Sequence, residues 1–308
     1  RNQVDVVKEE IRVNVLNRPY GGFPWLTLPP VLFRTFPNAH DGYGSFQDLE
    51  SATIADAAEF FDRYYACGNA VLAVGGDFDV AEATALIERH FGDVPARPAP
   101  GRPSFAEPDL TEERRESYTD ALAPLPAVAA AWRVPDPIED FAGYLPYVVL
   151  AEVLTDGDAS RLVERLVLRD RTVTSIAGYL GLMGSPFDVR DPTALVLQAH
   201  LPSGGDVDAV LRAVDEEIDR IATDGLDADE LVRTQARMAT HLLRETDAVL
   251  GRTLQMAVLE QQRGDPGLLG ELPRLLGEVT REQVRAAAAT LRPQRRAVVE
   301  VVPGGGAR

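Results

Sequence analysis

The chain has 308 residues, 45% of them hydrophobic, and a formal net charge of -17. That length can bury one large core or two ordinary ones, and two is the better expectation. The acidic excess argues against a nucleic-acid groove, and neither a polybasic run nor a sustained apolar stretch points to a membrane, so a soluble protein is expected.

From the N-terminus the spacing predicts a helix. Val4, Val7, Ile11 and Val15 recur at 3.6 residues per turn as an apolar stripe, with Asn2, Asp5, Glu9 and Arg12 on the far side. Glu10 falls in a third row, Gln3, Val6, Glu10 and Val13, which flanks the stripe. A carboxylate held near a core needs a cation, a metal or several donors to stay charged, and the ordinary alternative is a boundary glutamate that reaches water. No N-cap precedes the helix, and the chain starts on Arg1 without a signal-peptide pattern, so the expectation is a sequence cut from something longer.

The helix is expected to stop before Pro19-Tyr20-Gly21-Gly22. A short apolar helix from Trp25 to Phe36, interrupted by Pro29-Pro30, leads into a loop over 37–45. Next come a helix from Ile54 to Tyr65, a strand from Ala70 to Val74 closed by Gly75-Gly76-Asp77, and a helix from Ala81 to His90. One strand cannot make a sheet, so this first block, residues 1–95, must take strands from elsewhere, most simply from upstream of Arg1.

Residues 96–112 read as a linker, since Ala96 to Pro108 is rich in proline and alanine and has no hydrophobic periodicity. The second block, 113–303, carries strand patterns at Arg115–Thr119, Ala127–Val134, Thr172–Gly181, Thr193–Leu201 and Ala297–Val302. Helical patterns cover Phe141–Leu154, a stretch starting near Ser160, Val207–Thr223, Ala228–Glu245, Ala248–Arg263 and Arg281–Leu291. This is an α+β domain with helices on one face, able to fold alone, and 304–308 is a flexible tail.

Several of these segments, in order, resemble the pitrilysin (insulinase) family of zinc peptidases, whose inverted motif is H-x-x-E-H. Asn2-Gln3, Asp5 to Glu10 and Arg18-Pro19-Tyr20-Gly21 resemble the helix that carries the third zinc ligand. Pro37, His40, Gly44-Ser45, Asp48-Leu49, Phe60-Phe61, Tyr64-Tyr65, Asn69-Ala70, Gly76-Asp77-Phe78-Asp79 and Phe91 to Pro95 continue the likeness. In the second block it runs through Ser160-Arg161-Leu162, Asp229-Glu230-Leu231, Gly264-Asp265-Pro266 and Val279 to Val284.

The resemblance implies two related sheet-plus-helices domains of the mitochondrial-processing-peptidase type, paired in a clam-like shell, the first incomplete here. It implies Zn2+ as cofactor and hydrolysis of short or unfolded peptides, bound in extended form along a sheet edge. Two imidazoles and a carboxylate leave the fourth zinc position open for water, whose proton the motif glutamate takes. By this match Glu10 is the carboxylate ligand, with Gln3 and Lys8 as neighbours. The rest of the site is missing: the four histidines, His40, His90, His200 and His241, include no pair with the motif spacing. The chain alone is therefore expected to be inactive, and the alternative is a non-catalytic partner or scaffold subunit. In two-chain members of the family one subunit supplies an arginine and a tyrosine seven residues apart. Counted from Ser160-Arg161-Leu162 these positions fall on Val167 and Thr174, which implies the catalytic side of a heterodimer with an Arg/Tyr-bearing subunit, or else a homodimer.

Other candidates have plainer explanations. His40 lies in a polar loop, His90 closes a helix where the dipole favours a cation, and His200 and His241 suit partly buried structural roles. Cys67 is the single cysteine and has no base beside it, so neither a disulfide nor a nucleophile is expected. Nothing then requires an oxidising compartment, and a cytoplasmic location is expected, with periplasmic or secreted locations left open. Gly75-Gly76 lacks the lysine of a phosphate loop. The acidic runs Asp215–Asp219 and Asp224–Glu230 read as solvated helix faces, with attraction of basic peptides as a weaker reading.

Overall fold

The computed structural model of the chain describes residues 2–40, 42–182, 185–190 and 192–304. Helix α1 (Asn2–Ile11) runs on through a wider π-helical turn at Arg12–Leu16. Its expected stripe is only partly buried: Ile11 and Val15 reach the interior, whereas Val4 and Val7 are intermediate. The expected helix over Trp25–Phe36 is absent. Turns lead instead into two one-turn helices, α2 (Pro29–Leu32) and α3 (Phe36–Ala39). A proline lacks the N–H that a helix interior needs, and in α2 and α3 the prolines stand in the first turn. Helix α4 (Phe46–Ser51) opens on a reciprocal cap between Ser45 and Asp48, and α5 (Ile54–Tyr64) on the same arrangement of Thr53 and Asp56. Asp79 caps α6 (Val80–Phe91) by accepting the Glu82 N–H at 2.9 Å.

The strand expected at Ala70 to Val74 is a correction. The segment is exposed and pairs with none of the five described strands. It lies against helix α10 (Val249–Arg263), so closely at Gly75 that a Cβ there would sit 1.9 Å from the Thr253 hydroxyl. In the same block α5 and α6 leave apolar faces open: Ile54 is 90% exposed, Phe60 and Phe61 are each 56% exposed, and Val80 is 71% exposed.

The second block forms a five-stranded sheet in the order β1-β5-β2-β4-β3, from β1 (Arg114–Asp120), β2 (Ala127–Arg133), β3 (Ser175–Leu180), β4 (Ala194–His200) and β5 (Arg296–Pro303). Only β1 and β5 run parallel; the other neighbours are antiparallel. Successive side chains of a strand point to opposite faces, and β2 shows what each face holds. Val128, Ala130 and Trp132 point to the helices α7 (Phe141–Thr155), α8 (Val207–Asp224), α9 (Ala228–Asp247) and α12 (Arg281–Ala288), in a core with Tyr144, Leu150, Leu154, Ile218, Ile221 and Val284. Apolar all round, α7 is buried on nearly every side, as its composition requires.

The opposite face of β2 presents Ala127, Ala129 and Ala131, flat enough for an irregular segment to lie close. That segment is Phe23 to Phe33 of the first block, whose Phe23, Leu28, Val31, Leu32 and Phe33 are all buried there. Asp120 accepts the Tyr20 N–H at 2.7 Å, and the Tyr20 hydroxyl donates to the Leu125 carbonyl at 2.8 Å, anchoring the segment. The helices do occupy one face, as expected, but the other face is covered by the first block rather than by the second block itself. In the second block one helix had no counterpart in the sequence pattern, as α4 had none in the first: α11 (Leu268–Gly277), which buries Leu272 and Leu276. Its Gly270 and Pro273 hide the helical periodicity.

Candidate functional site

Glu10 lies on α1 with its side chain in solvent, as do Gln3 and Glu9. The carboxylate is therefore not held near a core in this chain, and the row it shares with Val6 and Val13 is open, with Val6 53% exposed. Neighbouring side chains have partners of their own. Lys8 forms an ion pair with Glu50 and sits 5.7 Å from the Phe46 ring centroid, where Arg12 also lies, at 5.2 Å. Arg12 donates to Glu9 at 3.2 Å. These contacts fasten α1 to α4 and leave Glu10 free of any of them. It is a carboxylate presented outward from a fixed helix.

The histidines are scattered. His40 is exposed, stacks on Phe36 and contacts the Phe36 carbonyl through Nδ1 at 2.9 Å. His90 is exposed at the end of α6. His200 on β4 meets the Tyr20 ring edge-on at 4.8 Å, and burial holds its imidazole below the usual range. His241 lies 3.1 Å from Glu245 one turn on. Among the described residues no group of three or more His, Cys, Asp or Glu side chains could hold a metal ion. The donor set around Glu10 thus does not fit zinc by itself, and no chemistry is derived through a metal in this chain. Cys67 is exposed and unpaired. Val167 packs against the helix-side core, and the Thr174 hydroxyl donates to the His200 carbonyl at 3.1 Å, so both have structural work.

A pair of groups that the sequence reading passed over lies on α7. Glu152 and Asp156 are one helical turn apart, with the Asp156 carboxylate acting on the Glu152 carboxyl. Burial first, then the Asp156 charge, pushes the Glu152 carboxyl up to about 7. Two acids four residues apart in an otherwise apolar helix are the signal that could have found them. A carboxyl whose folded value exceeds its unfolded one stabilises the fold while it stays protonated, and that contribution is lost as pH rises from about 4.5 through 7. Glu152→Gln should therefore raise stability by about 1–2 kcal/mol at pH 8 and have little effect at pH 4.5, as read by urea unfolding at both values.

The family description "Peptidase M16 inactive domain" matches residues 51–238, more than half of the chain. No curated protein matches the sequence. Among solved structures, a protease from Helicobacter pylori superposes with a TM-score of 0.86 at 17% identity, covering 98% of this chain and 71% of that one. A peptidase M16 inactive domain from Pseudomonas fluorescens gives 0.81 at 18% identity over 100% of this chain and 72% of its own. The periplasmic protease PqqL from Escherichia coli gives 0.75 at 19% identity, over 98% of this chain and 34% of that one. At such identities the structural likeness shows a shared fold, here the mixed sheet-and-helix architecture that the sequence resemblance implied. No helix among the described residues is long and apolar enough to cross a membrane.

Proposed function

From the premise that this chain belongs to the peptidase M16 family, we propose that it is the part of a zinc peptidase that builds one side of the peptide chamber and brings Glu10 to the metal. The two imidazole ligands and the motif glutamate come from an H-x-x-E-H segment outside these residues. In this reading 1–95 belongs to the metal-binding domain, 96–112 is a linker and 113–303 is the second domain. Substrates are short or unfolded peptides. The partner is a polypeptide of the same family, in a heterodimer with an Arg/Tyr-bearing subunit or in a homodimer.

The observation that supports this reading most directly is the open face of the first block. Among the described residues the extended run 70–75 has no strand neighbour, and Ile54, Phe60, Phe61 and Val80 of the same block are exposed. Unpaired backbone and exposed aromatic side chains are both surface that further strands and their cover would bury. The family's inactive-domain match favours a second reading, in which the chain is a scaffold subunit with no part in the metal site. The cytoplasm is the proposed location, and the periplasm is the alternative because the Escherichia coli relative is a periplasmic protease.

The test is to purify the chain alone and together with an H-x-x-E-H-bearing polypeptide of the same family from the same organism. Only the combined material should bind one zinc per active unit, measured by metal analysis, and cleave an unfolded fluorogenic peptide. Two separate peaks in gel filtration would remove the assembly, and a stable, inactive, zinc-free complex would favour the scaffold.

A further inference from the structure

A cavity of about 570 Å³ opens between α7 and α9, closed at one end by the loop 185–187 and by Leu276 of α11. It lies on the helical side of the sheet, in the second block, away from Glu10. Its inner wall is apolar: Val148, Phe187, Met238 and Leu276 are all buried. Its polar side is made by the Glu152 and Asp156 carboxyls of α7 with Arg237, His241 and Glu245 of α9.

The charges on that side are unevenly matched. Asp156 has a cation of its own, Arg237 at 2.5 Å, whereas the neighbour of Glu245 is an imidazole, His241 at 3.1 Å. Arg244 is exposed to solvent at the rim. Glu152 forms no ion pair of its own among the described residues: it lies beside the Asp156 carboxylate and only shares the field of Arg237. Beside the cavity, Asp188 follows Phe187, and its Oδ1 is buried without a hydrogen-bond partner. A further cation would relieve this excess of half-buried carboxyl groups, and the apolar wall opposite would accept a hydrocarbon arm.

We infer that this cavity is a binding site for a small organic cation, a primary ammonium joined to an aromatic or branched apolar arm. The ammonium sits at the Glu152 carboxylate, and the arm lies against Phe187 and Met238. A charge-assisted hydrogen bond to a half-buried carboxylate makes the charge, rather than the shape, the larger part of recognition. The site does not depend on the peptidase reading, because none of its residues belongs to the first block.

Isothermal titration of the chain with phenethylamine near pH 8 tests this, with 2-phenylethanol as the neutral analogue of the same shape. One molecule of amine per chain should bind, and both the alcohol and the Glu152→Gln variant should show affinity reduced at least about tenfold. Glu152→Gln is expected to melt no lower than the parent chain, so its loss of binding would not be a loss of fold. Equal binding of amine and alcohol, unchanged affinity in Glu152→Gln, or no saturable binding of phenethylamine would each overturn the inference.

Discussion

Replacing Arg296 with methionine should destabilise the chain by about 3–5 kcal/mol, as measured by urea unfolding at neutral pH. Arg296 opens β5 and is only 5% exposed. Its Nε donates to Glu113 at 2.6 Å and its Nη1 to Asp215 at 2.7 Å, while the guanidinium lies 5.9 Å from the Trp132 ring centroid. One cation thereby joins β5, the entry to β1 and helix α8. Burial already pushes the Asp215 carboxyl up, and the arginine opposes that shift. Methionine would fill much of the space but leave two carboxylates facing each other without their cation. The pH dependence has a definite sign. With Asp215 pushed further up, the penalty should be smallest where the carboxyl is protonated and should grow as pH rises through its folded value. Adding Asp215→Asn to Arg296→Met should recover part of the loss at pH 7. Equal penalties at pH 4 and pH 8 would show that lost packing, rather than unpaired charge, dominates.

In an assembly of this chain with an H-x-x-E-H-bearing partner, Glu10→Gln should lower zinc affinity by more than the roughly 10–100-fold that loss of an outer-shell partner costs. Peptide hydrolysis should fall with the metal. An amide oxygen is a weaker ligand than a carboxylate and does not neutralise the cation. Glu9 supplies the internal control. It is one residue away, similarly exposed, and paired with Arg12 at 3.2 Å on the neighbouring face of α1. Glu9→Gln should leave zinc content and activity close to those of the parent. Because both side chains are in solvent, neither change should move the melting temperature of the isolated chain by more than about a degree or two. Zinc retained equally by the two variants would eliminate Glu10 as a ligand.

The strands of the sheet were legible from the sequence almost to their ends, as Ala127–Val134 against the observed Ala127–Arg133 illustrates. Alternating small and large apolar residues over a short run leave few other readings. The same holds for α8 and α9, whose caps at Asp206 and Asp227 stand directly before the amphipathic repeat. Where proline or glycine interrupts a repeat, as at Pro29-Pro30 and Pro273, the pattern misled or was silent. Ala70 to Val74 has the composition of a strand, but a strand exists only in a ladder, and no described segment pairs with it.

The candidate site divides in the same way. Glu10 could be singled out by its helical row and by resemblance, yet its exposure depends on what α1 packs against. The row predicted a carboxylate flanking a core, and the structure has Val6 and Val13 in solvent beside it. The Glu152 and Asp156 pair stood in the sequence as two acids four apart, but the cavity they face is closed by Phe187, Met238 and Leu276 from three other segments.

The sequence by itself determined the α+β class, the family and the absence of an H-x-x-E-H motif from these residues. Each depends on residue identity and local spacing, which survive without knowledge of neighbours in space. Only the tertiary structure decided that Phe23 to Phe33 covers the alanine face of the sheet, that Glu10 faces solvent and that Glu152 lines a cavity. Burial and charge pairing are properties of contacts between distant segments, and no periodicity within one segment encodes what comes to lie against it.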